Sequence, residues 1–155
     1  MRAPARPDRW RPLWRITNRF ESLELRWLGT SGITLLGRTD VLVLETTGRR
    51  TGKRRRTPVA YWTDDGAYFV GGGAAGMSRV DWVANLRANP DAAVWVRRRR
   101  LPVVAHELDG DDYERVRAEA FRRWPDAPSY EMRSGRRIPY FKLRVVNEVW
   151  SLHPE

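Results

Sequence analysis

The residues best suited to chemistry form a basic segment from Thr46 to Pro58, with the sequence TTGRRTGKRRRTP. It holds six cations and no acid. Gly48 and Gly52 let the backbone bend and approach a ligand closely, and arginine guanidinium groups bind phosphate and carboxylate oxygens in pairs. The segment therefore predicts a phosphate-binding loop between two strands, although the GxxxxGK[ST] spacing of a P-loop is absent. The alternative is a solvated basic turn.

A second candidate combines the small-residue run GGGAAG at positions 71–76 with the segment VDWVANLRANP at positions 80–90. Small residues leave room for a flat ring to lie against the backbone. Trp82 and Asn85 are three residues apart and share one face of a predicted helix. An aromatic ring beside an amide suits a heterocycle with polar edges. The alternative is a mobile loop followed by a tryptophan of the core.

Two further groups of residues have both a functional and a structural interpretation. Tyr130 and Tyr140 could orient a substrate or donate a proton, or they could belong to an ordinary amphipathic core. The run Arg97–Arg100 predicts a solvated hairpin tip, or else an extension of the anion-binding groove.

The composition excludes several classes of protein. The chain has 155 residues, the size of one domain, and no cysteine, so it has no disulfides, thiolate metal sites or thiol nucleophile. It has only two histidines, His106 and His153, so neither a metal site nor a Ser-His-Asp triad is expected. A run of about 18 apolar residues is absent, and no apolar signal region follows the basic N-terminus. We therefore expect a cytoplasmic protein.

The net charge of +10 indicates an anionic partner, which could be nucleic acid, a lipid headgroup or a polyanionic cofactor. The first two partners would make the chain a non-catalytic binding module. Trp10 and Trp14 lie among arginines, so peripheral contact with an anionic membrane is left open. The oligomeric state is not predicted.

The pattern of apolar residues predicts the elements that position these groups. A helical stripe runs from about residue 9 to residue 27, and it packs either on the protein or on a membrane. We expect residues 1–30 to form a basic arm and amphipathic helix, and residues 31–155 to form the main domain. Strands are predicted at 41–46, 57–63, 67–71, 92–97, 101–108 and 138–152, and helices at 80–88 and 109–124. This order predicts an α+β, mainly β, fold built on a small closed or split barrel.

The order of the motifs resembles that of the deazaflavin-dependent nitroreductase family of actinobacteria. The similarity covers about residues 35–145 and rests on TTGRRTGKRRRTPVAYW, the glycine run, DWVANLRANPDAAVWV and RIPYFKL. It implies a split β-barrel related to flavin reductases and FMN-binding barrels, with two or three helices besides the N-terminal one. It also implies hydride transfer from reduced coenzyme F420, an 8-hydroxy-5-deazaflavin with a phosphodiester and an oligoglutamate tail. The acceptor would be a quinone, a nitro compound or a similar small molecule, with no nucleic acid as partner.

The resemblance also implies roles for individual residues. The phosphate would be held by Arg49, Arg50, Thr51, Gly52 and Arg55. The ring would be lined by Thr57 and Pro58, contacted by the backbone of Gly71, Gly72 and Gly73, and flanked by Trp82 and Asn85. Tyr130 would be the catalytic residue beside the substrate. An FMN-binding barrel remains the alternative enzyme.

Overall fold

The structure, a computed structural model, describes residues 39–73 and 80–146. The predicted N-terminal helix, the predicted domain boundary near residue 30 and the last part of the predicted C-terminal strand lie outside these residues. The described elements, in chain order, are strands and helices with the following bounds: β1 Val41–Thr47, β2 Arg54–Asp64, β3 Ala67–Gly71, α1 Asp81–Ala88, β4 Asp91–Val96, β5 Arg99–Glu107, α2 Gly110–Arg123, α3 Ala127–Ser134 and β6 Tyr140–Val145.

The six strands close into an antiparallel barrel with the order β1-β2-β3-β6-β5-β4. Because side chains alternate between the two faces of a strand, Leu42 and Leu44 of β1 point into the barrel, where they pack with Phe141 and Leu143 of β6. Helix α1 contributes its own apolar face to the same core. The predicted mainly β barrel is therefore confirmed.

A second apolar cluster lies on the outer face of the barrel, under α2 and α3. Trp62 of β2 stacks on Phe69 of β3 with ring centroids 5.4 Å apart, and Val116 and Ala120 of α2 cover them. Tyr140 at the start of β6 belongs to this cluster and is 1% exposed. These contacts fix the two C-terminal helices against the barrel.

Most strand bounds differ from the prediction by one to three residues, and the largest shifts within the described residues are at the starts of β2, β5 and β6. Strand β2 begins at Arg54, three residues early, because β1 extends to Thr47 and these two residues pair. The β4–β5 turn consists only of Arg97 and Arg98, since Val96 pairs with Arg99. Strand β6 begins at Tyr140, two residues later than predicted.

The antiparallel order brings several connections to one end of the barrel. These are the β1–β2 loop, the residues after β3, helix α1 and the residues before β6; we call this the loop end, and it comprises residues 48–53, 71–73, 80–90 and 136–139. Strand β4 runs opposite to β1, with Val43 facing Trp95. The Arg97–Arg98 turn therefore lies at the other end of the barrel, about 20 Å away, because six residues of strand separate the two ends. It does not extend the β1–β2 loop, residues 48–53, which we call the basic loop.

Candidate functional site

The β1–β2 loop is a tight turn that depends on its two glycines. The N–H of Gly48 donates to the carbonyl of Lys53, and the N–H of Gly52 donates to the carbonyl of Gly48. The N···O distance is 2.8 Å in both hydrogen bonds. Gly52 has φ +67°, which glycine adopts without steric cost, and a Cβ on Gly48 would lie 3.1 Å from the oxygens of Lys53 and Thr51. The turn leaves Arg50, Thr51 and Lys53 exposed at the loop end.

The alternation of β2 divides the arginine run between two surfaces. Arg55 and Thr57 lie on the side of the strand that faces the barrel interior and its loop end, and Nε of Arg55 is 3.5 Å from the ideal Cβ position of Gly48. Arg54 and Arg56 lie on the outer face. The structure thus places Arg55 in β2 beside the basic loop, and its contact with a phosphate stays a prediction.

Pro58 lies on the outer face as well, opposite to Thr57. It is buried and pairs with Val43 of β1. The structure therefore does not bring Pro58 together with Arg55 and Thr57, because adjacent residues of a strand point to opposite faces.

A buried carboxylate that the sequence analysis missed organises the outer face. Glu45 is 3% exposed and accepts hydrogen bonds from Nε of Arg56 (2.9 Å), Nη2 of Arg100 (2.8 Å) and Nε1 of Trp95 (3.4 Å). Nη1 of Arg54 lies 3.8 Å away. Burial raises the pKa of Glu45, but the hydrogen bonds from Arg100 and Arg56 outweigh it and lower the pKa to about 2. The sequence signal for this role of Glu45 was that it is a single acid in the apolar strand VLVLETT, shortly before a basic run.

Helix α1 is joined to the basic loop through one buried amide. Asn85 is 3% exposed, and its Oδ1 accepts hydrogen bonds from the backbone N–H and from Nη1 of Arg49. The N···O distance is 3.1 Å in both. Nδ2 of Asn85 donates to Oγ1 of Thr46 at a distance of 3.1 Å. Nη2 of Arg49 lies 3.4 Å from Oδ1 of Asp81. Arg49 and Asn85 therefore bind each other, and both set the position of the loop.

The tryptophan on the same helix face belongs to the barrel core. Trp82 is 5% exposed, and its ring lies 5.7 Å from that of Phe141. The core tryptophan that the sequence analysis kept as an alternative is confirmed. Contact between Trp82 or Asn85 and a cofactor ring stays a prediction, and their burial gives them a structural role in this state.

The space beside Gly71, the last residue of β3, and the two glycines that follow it is filled by side chains of the protein, so on this side the segment does not leave the room for a ring that the sequence analysis expected. An ideal Cβ on Gly71 would lie 2.6 Å from Cε1 of Tyr140, and one on Gly72 would lie 2.7 Å from Cγ2 of Val83. At Gly73 the neighbours of an ideal Cβ are Cδ2 of Tyr130 and Cδ1 of Ile138, both 3.3 Å away. The structure thus places the predicted catalytic tyrosine directly against the glycine segment.

Helix α3, which carries Tyr130, is anchored on both sides. Glu131 accepts from Nε and Nη2 of Arg117 on α2 (3.0 and 2.6 Å) and from the N–H of Ile138 (3.1 Å). The hydrogen bonds from Arg117 lower the pKa of Glu131. The hydroxyl of Tyr113 donates to the carbonyl of Ile138 at an O···O distance of 2.7 Å. Tyr130 is half-buried on this helix, so it is held in place at the rim of the loop end.

Arg136 is a further cation at this end that the sequence analysis did not assign. Its Nη2 donates to the carbonyl of Gly72 at a distance of 2.9 Å. The N–H of Gly72 in turn donates to the carbonyl of Pro139 at 2.8 Å. Burial, and then the charge of Arg87, lower the pKa of Arg136. The only sequence signal was a basic residue shortly before the IP dipeptide.

Most of the predicted site residues therefore share the loop end. Those within it are Arg49, Arg50, Thr51, Gly52, Gly71, Gly72, Gly73, Asn85 and Trp82, whose ring lies in the barrel core. Arg55, Thr57 and Tyr130 border the loop end, and Pro58 lies on the outer face. In residues 39–73 and 80–146 no group of three or more His, Asp or Glu side chains could hold a metal ion. Across the same residues no helix has the length and apolar character needed to span a bilayer.

Comparisons with known proteins agree with this arrangement. An F420H(2)-dependent quinone reductase of Mycobacterium tuberculosis is 31% identical over 119 residues, which is 74% of this chain and 80% of that protein. The solved structure of an F420-H2 dependent reductase, FDR-A, has 29% identity and a TM-score of 0.58 over 67% of this chain and 93% of that one. A FAD-binding protein from Mesorhizobium loti shares the fold alone, at 17% identity and a TM-score of 0.51 over 74% of this chain and 84% of that one.

The family model for F420H(2)-dependent quinone reductases matches residues 18–145, which is most of the chain. The match includes the basic loop, the glycine segment, α1 and the residues before β6, which are the segments that meet at the loop end. The chain belongs to the F420H(2)-dependent quinone reductase family.

Proposed function

We propose that this protein transfers a hydride from reduced coenzyme F420 to a quinone, and that the loop end of the barrel is where the two molecules meet. Nitro compounds and similar activated acceptors would be reduced at the same place. The observation that carries the proposal is the position of Tyr130 against Gly73 at the same end of the barrel as the exposed cations of the basic loop.

The basic loop fits the anionic part of the cofactor. Arg49 is bound to Asp81 and Asn85, so its charge is partly neutralised. Arg50, Lys53 and Arg55 are exposed, and each has donors that bind phosphate or carboxylate oxygens. We therefore assign the phosphate and the first carboxylates of the tail to these three side chains, with the hydroxyl of Thr51 as a further donor.

The neighbouring segments fit the ring and the acceptor. The backbone of Gly71–Gly73 and the side chain of Thr57 border the loop end, and Tyr130 faces Gly73 from α3. Tyr130 has a phenol that can donate a proton to a reduced acceptor. Asn85 holds α1 against Thr46 at the end of β1, so this wall has a fixed position.

The absence of cysteine and the scarcity of histidine agree with this reaction. Bound F420 in its reduced form supplies the hydride itself. The protein has only to orient the two rings, exclude water and place charge correctly, and this orientation accounts for much of the rate in reactions of this type.

The experiment is a fluorescence titration of the protein with oxidised F420, and separately with FMN. The test variant combines Arg50→Gln, Lys53→Gln and Arg55→Gln. The control variant combines Arg97→Gln, Arg98→Gln and Arg99→Gln, which removes the same charge from the opposite end.

We expect the loop variant to bind F420 at least tenfold more weakly, since each charge-assisted contact is worth about 1.5–3 kcal/mol. The control should remain close to wild type, because charges about 20 Å away are screened by salt. Equal losses in both variants would mean that only net charge matters. Tighter binding of FMN than of F420 would favour a flavin enzyme.

A further inference from the structure

A single acid lies among the cations of the loop end. In residues 48–53, 71–73, 80–90 and 136–139 the acid is Asp81, and the six cations are Arg49, Arg50, Lys53, Arg87, Arg136 and Arg137. Asp81 is the first residue of α1, where the positive end of the helix dipole stabilises a carboxylate. The protein thus places an anion of its own in a surface that otherwise attracts anions.

The carboxylate of Asp81 is bound to one side of the Arg49 guanidinium. Its Oδ1 accepts a hydrogen bond from Nη2 of Arg49 at a distance of 3.4 Å. The N–H and Nη1 of Arg49 are bound at 3.1 Å by Oδ1 of the buried Asn85. The side chain of Asp81 is 53% exposed, and an ion pair that water reaches is weak. The contact with Asn85 therefore fixes the guanidinium, whereas the contact with Asp81 can be exchanged.

An anionic ligand at the basic loop meets two opposing effects of Asp81. It has to displace the carboxylate in order to bind Nη2 of Arg49, and at short range the carboxylate repels it. Any further cation bound to Asp81 would be withheld from the ligand in the same way. Removal of this carboxylate should therefore strengthen the binding of an anion.

We propose that Asp81 competes with the anionic tail of the cofactor for Arg49, and that it thereby limits the affinity of the loop end for this tail. The inference rests on the proposed function, because it assumes that F420 binds at the loop end. Nη2 of Arg49 binds Asp81 in the free protein and an oxygen of the phosphate or of a tail carboxylate in the complex, while Nη1 stays on Asn85.

This competition suits a cofactor that has to leave after each reaction. Hydride transfer leaves the cofactor oxidised, so it must be exchanged for a reduced molecule before the next turnover. A carboxylate that takes back Arg49 favours this release. Asp81 is thus a specificity-determining residue that reduces the advantage of a charged tail.

The test is a fluorescence titration with oxidised F420, and separately with the 8-hydroxy-5-deazaflavin that lacks the phosphodiester and the tail. Asp81→Asn removes the charge and keeps the size of the side chain, and Asp81→Glu keeps the charge. The matched control is Asp64→Asn, because Asp64 is an exposed acid at the last position of β2, whose first residues adjoin the loop end.

Asp81→Asn should bind F420 about threefold to tenfold more tightly than wild type, since it loses both the competing ion pair and the repulsion. Asp81→Glu and Asp64→Asn should bind F420 as wild type does. The tail-less compound has no charge for Asp81 to repel, so all four proteins should bind it equally. Thermal unfolding checks that each variant is folded, and Asp81→Ser, which also suits the start of a helix, replaces Asp81→Asn if the latter does not fold.

Several results would overturn the inference. A merely structural role of Asp81 at the start of α1 predicts unchanged or weaker binding of F420 by Asp81→Asn. Equal tightening for the tail-less compound would place the effect at the ring, and equal tightening by Asp81→Glu or Asp64→Asn would mean that the charge at this position is not the cause. If wild type itself does not bind F420, the proposed function is wrong and this inference falls with it.

Discussion

Substitution of Glu45 by glutamine should destabilise the barrel more than any other single charge removal on its outer face. The pKa of Glu45 is lowered from 4.5 to about 2 by Arg100 and Arg56, against the opposing effect of burial. A pKa shift of this size corresponds to about 3 kcal/mol in the free energy of unfolding. Glutamine keeps the size of the side chain but leaves the two guanidinium groups without their counter-charge.

The pH dependence of this effect has a definite sign. Because the folded pKa is below the unfolded one, the stabilisation is present in full above about pH 5 and is lost as the pH falls through 4.5 towards 2. We therefore expect Glu45→Gln to be less stable than wild type by about 3 kcal/mol at pH 7. The difference in stability should be small at about pH 2, where the carboxyl of the folded wild type is half protonated, and should vanish below it.

Glu119→Gln is the matched control, measured by denaturant unfolding at several pH values. Hydrogen bonds, first from Arg122 and then from Arg123, lower the pKa of Glu119 to about 2 as well. Its carboxylate lies on the surface of α2, where water screens the ion pair, so the loss should be at most about 1 kcal/mol. Equal losses for the two variants, or a gap for Glu45→Gln that persists at pH 2, would refute the reasoning.

Two further predictions concern the packing around Tyr140. Among the described residues the buried hydroxyl of Tyr140 has no hydrogen-bond partner, whereas that of Tyr113 donates to the carbonyl of Ile138. Tyr140→Phe should therefore be neutral or slightly stabilising, and Tyr113→Phe should cost about 1 kcal/mol in thermal unfolding. Gly71→Ala should cost about 1–3 kcal/mol, because the new methyl group would lie 2.6 Å from the ring of Tyr140. Combining Gly71→Ala with Tyr140→Leu should recover part of that loss, and no recovery would contradict the steric explanation.

The strands with alternating apolar residues could be predicted well from the sequence. Strand β3 has the predicted bounds, and the turn before it contains Asp65 and Gly66, both with positive φ, as a two-residue hairpin requires. The arginines at positions 54–56 were assigned to a loop because three consecutive cations carry no alternation signal. They are a strand because Glu45 on the neighbouring strand receives two of them, a contact that local pattern does not reveal.

The sequence placed most of the predicted site residues in segments that meet at the loop end, but it predicted their geometry only in part. The spacing of Trp82 and Asn85 correctly placed both on one helix face, but spacing does not tell whether that face points to a ligand or into the barrel. Thr57 and Pro58 were grouped because they are adjacent in the sequence. Adjacent side chains of a strand point to opposite faces, so β2 separates them. Arg136 was missed because a contact with Gly72, 64 residues away, places it at the loop end.

The charges of the basic segment explain why net charge alone is a poor guide to binding. Arg54 and Arg56 are directed to Glu45, and Arg49 to Asp81 and Asn85. The cations that remain exposed, without an ion pair to any described residue, are Arg50, Lys53 and Arg55. Half of the segment therefore holds the barrel and α1 together, and the other half is available to an anion. The structural half fixes the backbone that carries the remaining three, so an anionic cofactor would bind there at a lower entropic cost than on a flexible basic tail.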